Sequence, residues 1–169
     1  MFRTPNRRIA LVALAVLALD QLTKQLVYRF LGPGQERIMV EGFFKFVHWG
    51  NTGAAWSLFT GNNLVLAVVA LVALVVLFKS RHHFDSHTLL GQIALGLIFG
   101  GITGNLTDRL ARQHVIDFLY FYMQRRGGGE IGFPAFNVAD SAICIGVGLI
   151  FILSWKNEKL TVKPAQPPA

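Results

Sequence analysis

Four apolar runs divide the chain, and polar connections of very different length separate them. The first runs from Ile9 to Leu19 and keeps a helical spacing through Asp20, Lys24 and Val27. The others are Leu64 to Phe78, Leu89 to Leu106 and about Val138 to Trp155. A helix needs ~20 apolar residues to cross a bilayer core. The pattern therefore predicts four transmembrane helices, at about 9–28, 60–79, 88–108 and 138–156. Leu64 to Phe78 is short for a span and is expected to begin earlier, near Trp56. Arg3, Arg7 and Arg8 ahead of the first run also suit a cleaved secretory leader. The helical pattern past Leu19 and the spans that follow favour a retained helix.

The two long connections carry other patterns. Gly32-Pro33-Gly34 ends the first helix. Beyond it, Phe44, Phe46 and His48 alternate with Lys45, Val47 and Trp49, the period of a strand. Glu41-Gly42 separates these from Arg37 to Val40, which predicts a short aromatic β-hairpin suited to the headgroup layer. Asn51-Thr52-Gly53 reads as a small-residue turn towards the second span. In the third span Gly96, Gly100 and Gly104 recur every fourth residue, a stripe along which membrane helices pack closely. Asp108 continues that stripe and is thereby aimed at a neighbouring helix. Arg109 beside it is expected to pair with Asp108 or another carboxylate. Leu119 to Met123 is aromatic-rich and is expected to lie flat on the membrane, and Arg125 to Glu130 reads as a flexible surface loop. Asn137 is a good helix N-cap, which puts Asp140 in the first turn of the last helix. Residues 161–169, with Pro164, Pro167 and Pro168, read as a disordered tail. The remainder, 1–160, is expected to be one integral-membrane domain.

Composition supports this reading. Hydrophobic residues make up 53% of the chain and charged residues only 15%, with a mean hydropathy of +0.47; soluble domains carry about a quarter charged residues. The net charge of +7 does not point to nucleic acid, because the basic residues cap the apolar runs instead of forming a stripe. The N-terminus, the loop around Arg81 and the C-terminus hold the compact basic clusters. By the positive-inside rule these three are cytoplasmic, and the two long connections are outside.

That topology gathers the acids. Asp20, Asp108, Asp117 and Asp140 all come to the outer end of the spans, with Asn51, Asn105, Arg109 and Asn137. Carboxylates in a low-dielectric cleft repel one another, so some must be protonated or paired. Lys24 and Arg109 can neutralise two, leaving a pair to share a proton as in aspartic proteases. Other chemistries fit less well. Cys144 is the only cysteine and has no histidine near it in sequence; it reads as helix packing. Ser57 and Ser141 have only Lys24 as a conceivable base. His82, His83 and His87 sit in a short basic loop and read as solvated, not as metal ligands. A small ion- or proton-coupled transporter would need polar residues near the midplane, where this chain has only Gln92 on the inner half of the third span. A membrane scaffold is the other alternative.

The motifs Asp20-Gln21-Leu22-Thr23-Lys24, Asn51-Thr52-Gly53-Ala54-Ala55, Gly104-Asn105-Leu106-Thr107-Asp108-Arg109, Val115-Ile116-Asp117-Phe118 and Phe136-Asn137-Val138-Ala139-Asp140-Ser141 resemble the successive signature blocks of the lipoprotein signal peptidase (signal peptidase II) family. The resemblance runs from about Arg8 to Trp155. It implies an all-α membrane protein of four transmembrane helices with a small extracytoplasmic β-hairpin or cradle. It also implies an aspartic endopeptidase of the bacterial inner membrane that cleaves diacylglyceryl-modified prolipoproteins just before the lipidated cysteine. Asp117 and Asp140 match the family's catalytic pair. Asp20, Lys24, Asn51, Gly53, Asn105, Asp108, Arg109 and Asn137 match residues that support the pair or hold substrate. Signal peptides and membrane lipid are the implied partners, and no metal or cofactor is implied. Gly50 stands where the family commonly has an aromatic residue, and Trp56 where it has Phe.

Overall fold

The computed structural model describes residues 5–53, 61–84 and 86–161, with side chains described for most of them. Four long helices follow the four apolar runs: α1 (Pro5–Phe30), α2 (Asn63–Ser80), α3 (Leu89–Arg112) and α4 (Val138–Thr161). Each is long and apolar enough to cross a membrane. α1, α3 and α4 end beyond their expected bounds, because polar end residues such as Arg29 and Arg112 continue the helical hydrogen bonding, whereas α2 starts at Asn63, later than the expected 60. The second span does not run back to the expected start near Trp56, a residue outside the described ones: Gly61 and Asn62 are not helical and Asn62 is the N-cap of α2. Of the expected tail only Thr161 is described, and it ends α4.

Over half of the α3 window is buried (56%), against 22%, 11% and 17% for α1, α2 and α4; α3 is the central helix. Its glycines explain how. A Cβ on Gly96 would come 2.5 Å from Val12 Cβ, and one on Gly100 2.6 Å from the Ala13 carbonyl oxygen, both on α1. On the α4 side, Gly101 meets the Ala139 carbonyl oxygen, and Gly146 of α4 returns the contact to Ala94. The expected small-residue stripe thus packs α1 on α3, and a second glycine pair does the same for α4. Cys144, expected in helix packing, is exposed instead. Gly146, two residues on, is the α4 position that packs on α3.

The sheet is larger than the expected hairpin. Strands β1 (Glu36–Val40), β2 (Phe44–Asn51), β3 (Val115–Gln124) and β4 (Glu130–Gly132) form one antiparallel sheet in the order β1-β2-β3-β4. The hairpin β1–β2 turns at Gly42, whose φ of 70° suits glycine. Residues 119–123, expected to lie flat on the membrane, belong to β3, where Leu119 pairs with Phe46 and Phe121 with Phe44. Arg125 to Glu130, expected to be a flexible loop, contains the tight β3–β4 turn. Arg125 N donates to the Gly129 carbonyl, and Gly128 and Gly129 take φ of 87° and 84°. The alternation expected through Trp49 breaks between Phe46 and Trp49, where the register shifts by a bulge. His48 beside it is buried and its Nδ1 lies 2.7 Å from the Leu31 carbonyl oxygen, joining the sheet to the end of α1.

Two features of this architecture set up the site. Gln113, with φ 65°, ends α3 in a left-handed residue and turns the chain straight into β3. The segment before α4 is then bonded to β3: Phe118 N and Leu119 N donate to the Phe136 carbonyl, and Phe136 N donates to that of Leu119. Asp117 on the strand and Asn137 at the helix start are therefore forced side by side.

Candidate active site

The start of α4 organises the site. Asn137 Oδ1 accepts from Asp140 N at 2.9 Å, and Asp140 Oδ2 accepts from Asn137 N at 3.1 Å. This is a reciprocal capping box with Asp in the third position. A third orphan amide, Ala139 N, donates across to Asp20 Oδ1 of α1 at 3.0 Å. Asp20 thus caps α4 from a neighbouring helix. Gly104 makes it possible: a Cβ there would sit 2.5 Å from Asp20 Oδ2.

Asp117 and Asp140 converge here, the first buried and the second half-buried. Asp117 Oδ1 accepts from Asn137 Nδ2 at 2.8 Å and Asp117 Oδ2 from Asn51 Nδ2 at 2.8 Å. Asp140 Oδ1 accepts from Asn105 Nδ2 at 2.7 Å. Asn137 thus links the two carboxylates, one through its side chain and the other through its backbone. Asn51, read from sequence as part of a plain turn, closes an Asx turn by accepting from Gly53 N at 2.9 Å and keeps its amide for Asp117. Burial, first, and the neighbouring Asp140 charge push Asp117 up to about 7; the Asn51 and Asn137 hydrogen bonds and the Lys24 charge oppose them.

A wholly buried ionic network lies behind the pair. Lys24 Nζ is 2.8 Å from Asp20 Oδ2, 2.9 Å from Asn105 Oδ1 and 2.8 Å from Asp108 Oδ2. The first two are aligned hydrogen bonds; the third is an ion pair off the hydrogen-bond direction. Asp20 and Lys24 therefore pair as the i, i+4 spacing predicts, and the stripe does aim Asp108 at α1. Arg109 behaves otherwise than expected. Asp108 is taken by Arg112 at 2.6 Å and by Lys24, whereas Arg109 donates to the Gly53 carbonyl at 3.2 Å and the Asn105 carbonyl at 3.4 Å. One helical turn separates Arg112 from Asp108, and that favours the i, i+4 partner over the adjacent residue. Arg109 instead fastens the Asn51–Gly53 turn to α3. Sequence reasoning gave no role to Gln21, which donates to Asp20, Asp108 and the Gly104 carbonyl, or to Arg112. Both lie one or four residues from assigned acids, the only signal available.

Four carboxylates, Asp20, Asp108, Asp117 and Asp140, face three cations, Lys24, Arg109 and Arg112. One proton retained by the acids balances the cluster. Among the described residues no group of His, Cys, Asp and Glu is arranged to hold a metal ion.

Four apolar helices and one dense polar cluster, with two aspartates meeting on Asn137, define a polytopic membrane protein with an aspartyl site. The chain belongs to the signal peptidase II family: the family model described as Signal peptidase (SPase) II matches residues 12–156. A lipoprotein signal peptidase of Bacillus pumilus (strain SAFR-032) is 37% identical over 152 residues, covering 89% of this chain and 94% of that one. One of Geobacillus thermodenitrificans (strain NG80-2) is 40% identical over 144 residues, covering 84% and 86%. A solved bacterial membrane enzyme determined by the in meso method at 2.3 Å superposes with a TM-score of 0.79 at 29% identity, covering 95% of this chain and 94% of the other. The family, its bacterial members and the four apolar helices make this a multi-pass bacterial membrane protein. It is an aspartic-type signal peptidase, a hydrolase that removes signal peptides from prolipoproteins, and the transporter and scaffold readings gain no support.

Proposed function

We propose that Asp117 and Asp140 are the catalytic pair of an aspartic endopeptidase that removes signal peptides from diacylglyceryl-modified prolipoproteins, cutting before the lipidated cysteine. The observation that carries the reading is the meeting of a buried and a half-buried carboxylate from different elements around Asn137, in a cluster one positive charge short of neutral. One ionised carboxylate takes a proton from water, and the protonated partner hydrogen-bonds the scissile carbonyl. The pair titrates as a unit. Asn51, Asn105 and Asn137 hold the carboxylates, while Gly53 and Arg109 fix the turn that carries Asn51.

The peptidase domain spans 1–160 in the inner membrane, with both termini cytoplasmic. The sheet and the site lie at the outer face, where a lipid-anchored substrate presents its scissile bond and water is at hand. Anchoring reduces the search for substrate from a volume to a plane. Asp117→Asn and Asp140→Asn, assayed on a diacylglyceryl prolipoprotein, are expected each to abolish cleavage while the protein accumulates normally. Near-normal turnover in either variant would falsify the pair. Activity is expected to persist in a chelator.

A further inference from the structure

The three asparagines around the pair cannot turn over. Asn51 Oδ1 is held by Gly53 N, Asn137 Oδ1 by Asp140 N and Asn105 Oδ1 by Lys24 Nζ, donors that cannot accept. Each asparagine therefore presents only protons to a carboxylate. The anchors are unequal. Two are neutral backbone amides; the third is a buried ammonium. A charged donor on Oδ1 polarises the amide and strengthens the N–H offered at its other end. That stronger donor goes to Asp140, which also closes the capping box at the positive end of α4. Asp117, on a strand, receives two amides with neutral anchors.

The other charges around Asp140 are engaged elsewhere. Asp20 of α1 is taken up by Lys24, Gln21 and Ala139 N, and Asp108 of α3 by Lys24, Gln21 and Arg112. Arg109 of α3 donates to backbone carbonyls, and Asp117 of β3 is the partner carboxylate. Lys24 is the charge with a hydrogen-bonded route to Asp140, and that route passes through Asn105.

We propose that Lys24, acting through Asn105 as a positioning residue, keeps Asp140 the ionised member of the pair and leaves the shared proton on Asp117. The assignment rests on the catalytic-pair reading and gives each carboxylate its part. Water passes one proton to Asp140 as its oxygen bonds to the scissile carbonyl carbon, and Asp117 gives its proton to the carbonyl oxygen. On collapse the proton on Asp140 moves to the leaving nitrogen, the C–N bond breaks, and Asp117 recovers a proton from the diol.

The test is the pH profile of kcat/KM for protein in lipid nanodiscs acting on a diacylglyceryl-modified prolipoprotein peptide. Lys24→Met and Asn105→Leu are each expected to move the acid limb up by about one pH unit, the scale of one charge-assisted hydrogen bond. The double variant is expected to move it no further. A uniform loss of rate with the limb unmoved, or shifts that add, overturns the relay. Lys24→Met strands two buried aspartates, so if it fails to accumulate, Asn105→Leu decides alone, since it leaves Lys24 paired with both. Asp140→Asn in the same assay separates the two readings. If it is inactive and the limb is unmoved, only the relay falls; if it is active, the pair itself falls.

Discussion

Asp117 couples the site's chemistry to its stability. Its carboxyl titrates near 3.8 when free and is pushed to about 7 in the fold, by burial first and by Asp140 second. Between those values the folded protein holds a proton that the unfolded chain has released. The contribution to stability is thus complete below pH 3.8 and is lost as pH rises through about 7. Thermal unfolding in detergent should show a higher midpoint at pH 5 than at pH 8, and Asp117→Asn should flatten that difference. An unchanged slope in the variant would place the titration elsewhere. Gly104 poses the opposite kind of question, because alanine gains ~1 kcal/mol of helix propensity over glycine. Its Cβ, however, would lie 2.5 Å from Asp20 Oδ2, and that carboxylate is fixed by Lys24, Gln21 and Ala139 N. Overpacking a fixed group costs ~1–3 kcal/mol, so Gly104→Ala is expected to lower the unfolding midpoint. These two residues differ in how readable they were. Both lie in motifs that resembled the family's, but Gly104 itself read only as a packing glycine, because Asp20, which its Cβ would meet, comes from 84 positions away.

Among elements, α4 depends most on groups outside itself. Its first turn is capped by Asn137 from its own chain end and by Asp20 from α1. The two caps should separate stability from activity. Losing an N-cap costs ~1 kcal/mol, but Asn137→Ala also strips Asp117 of one donor, so its rate should fall far more than its unfolding midpoint. Asp20→Ala takes one of its two buried carboxylates from Lys24 and the cap from Ala139 N; breaking a buried ion pair costs ~3–5 kcal/mol, so this variant should lower the midpoint most. Parallel unfolding and turnover measurements check the order; a larger midpoint loss in Asn137→Ala would refute it. The helices themselves were legible because their apolar runs are long and one polar group in them stands out at a time. Strand β3 was not. Val115–Gln124 shows no clean alternation, because Val115 to Phe118 are buried on both faces and only the tyrosines and phenylalanines beyond them alternate. Its partner β2 is distant in sequence, across α2 and α3. A pairing of that range leaves no local signature.

For the whole molecule, the decisive property is sidedness. Every polar residue of the site stands at one end of the four-helix bundle with the sheet, and that end was expected to be outside because the compact basic clusters occupy the other. The structure adds a tie across the sheet that the sequence did not suggest. Lys45, 3% exposed, bonds Glu36 of β1 at 2.7 Å and Glu130 of β4 at 2.8 Å, and its ammonium lies over Tyr122. A sheet braced from edge to edge holds Asp117 against α4 whichever way the bundle faces, so stability measurements cannot reveal orientation; labelling can. Cys144 is the single cysteine and is exposed on α4, so a Cys144→Ser background removes all native reactivity. In that background Glu41→Cys, in the β1–β2 turn, and His83→Cys, between α2 and α3, occupy opposite ends of the bundle and are both solvent-facing. A membrane-impermeant maleimide applied to cells with a permeabilised outer envelope should label Glu41→Cys readily and His83→Cys only after the inner membrane is opened. The reverse pattern would put the site on the cytoplasmic face. A substrate anchored in the outer leaflet could not then reach Asp117 and Asp140, and the proposed reaction would lose its setting even with the pair intact.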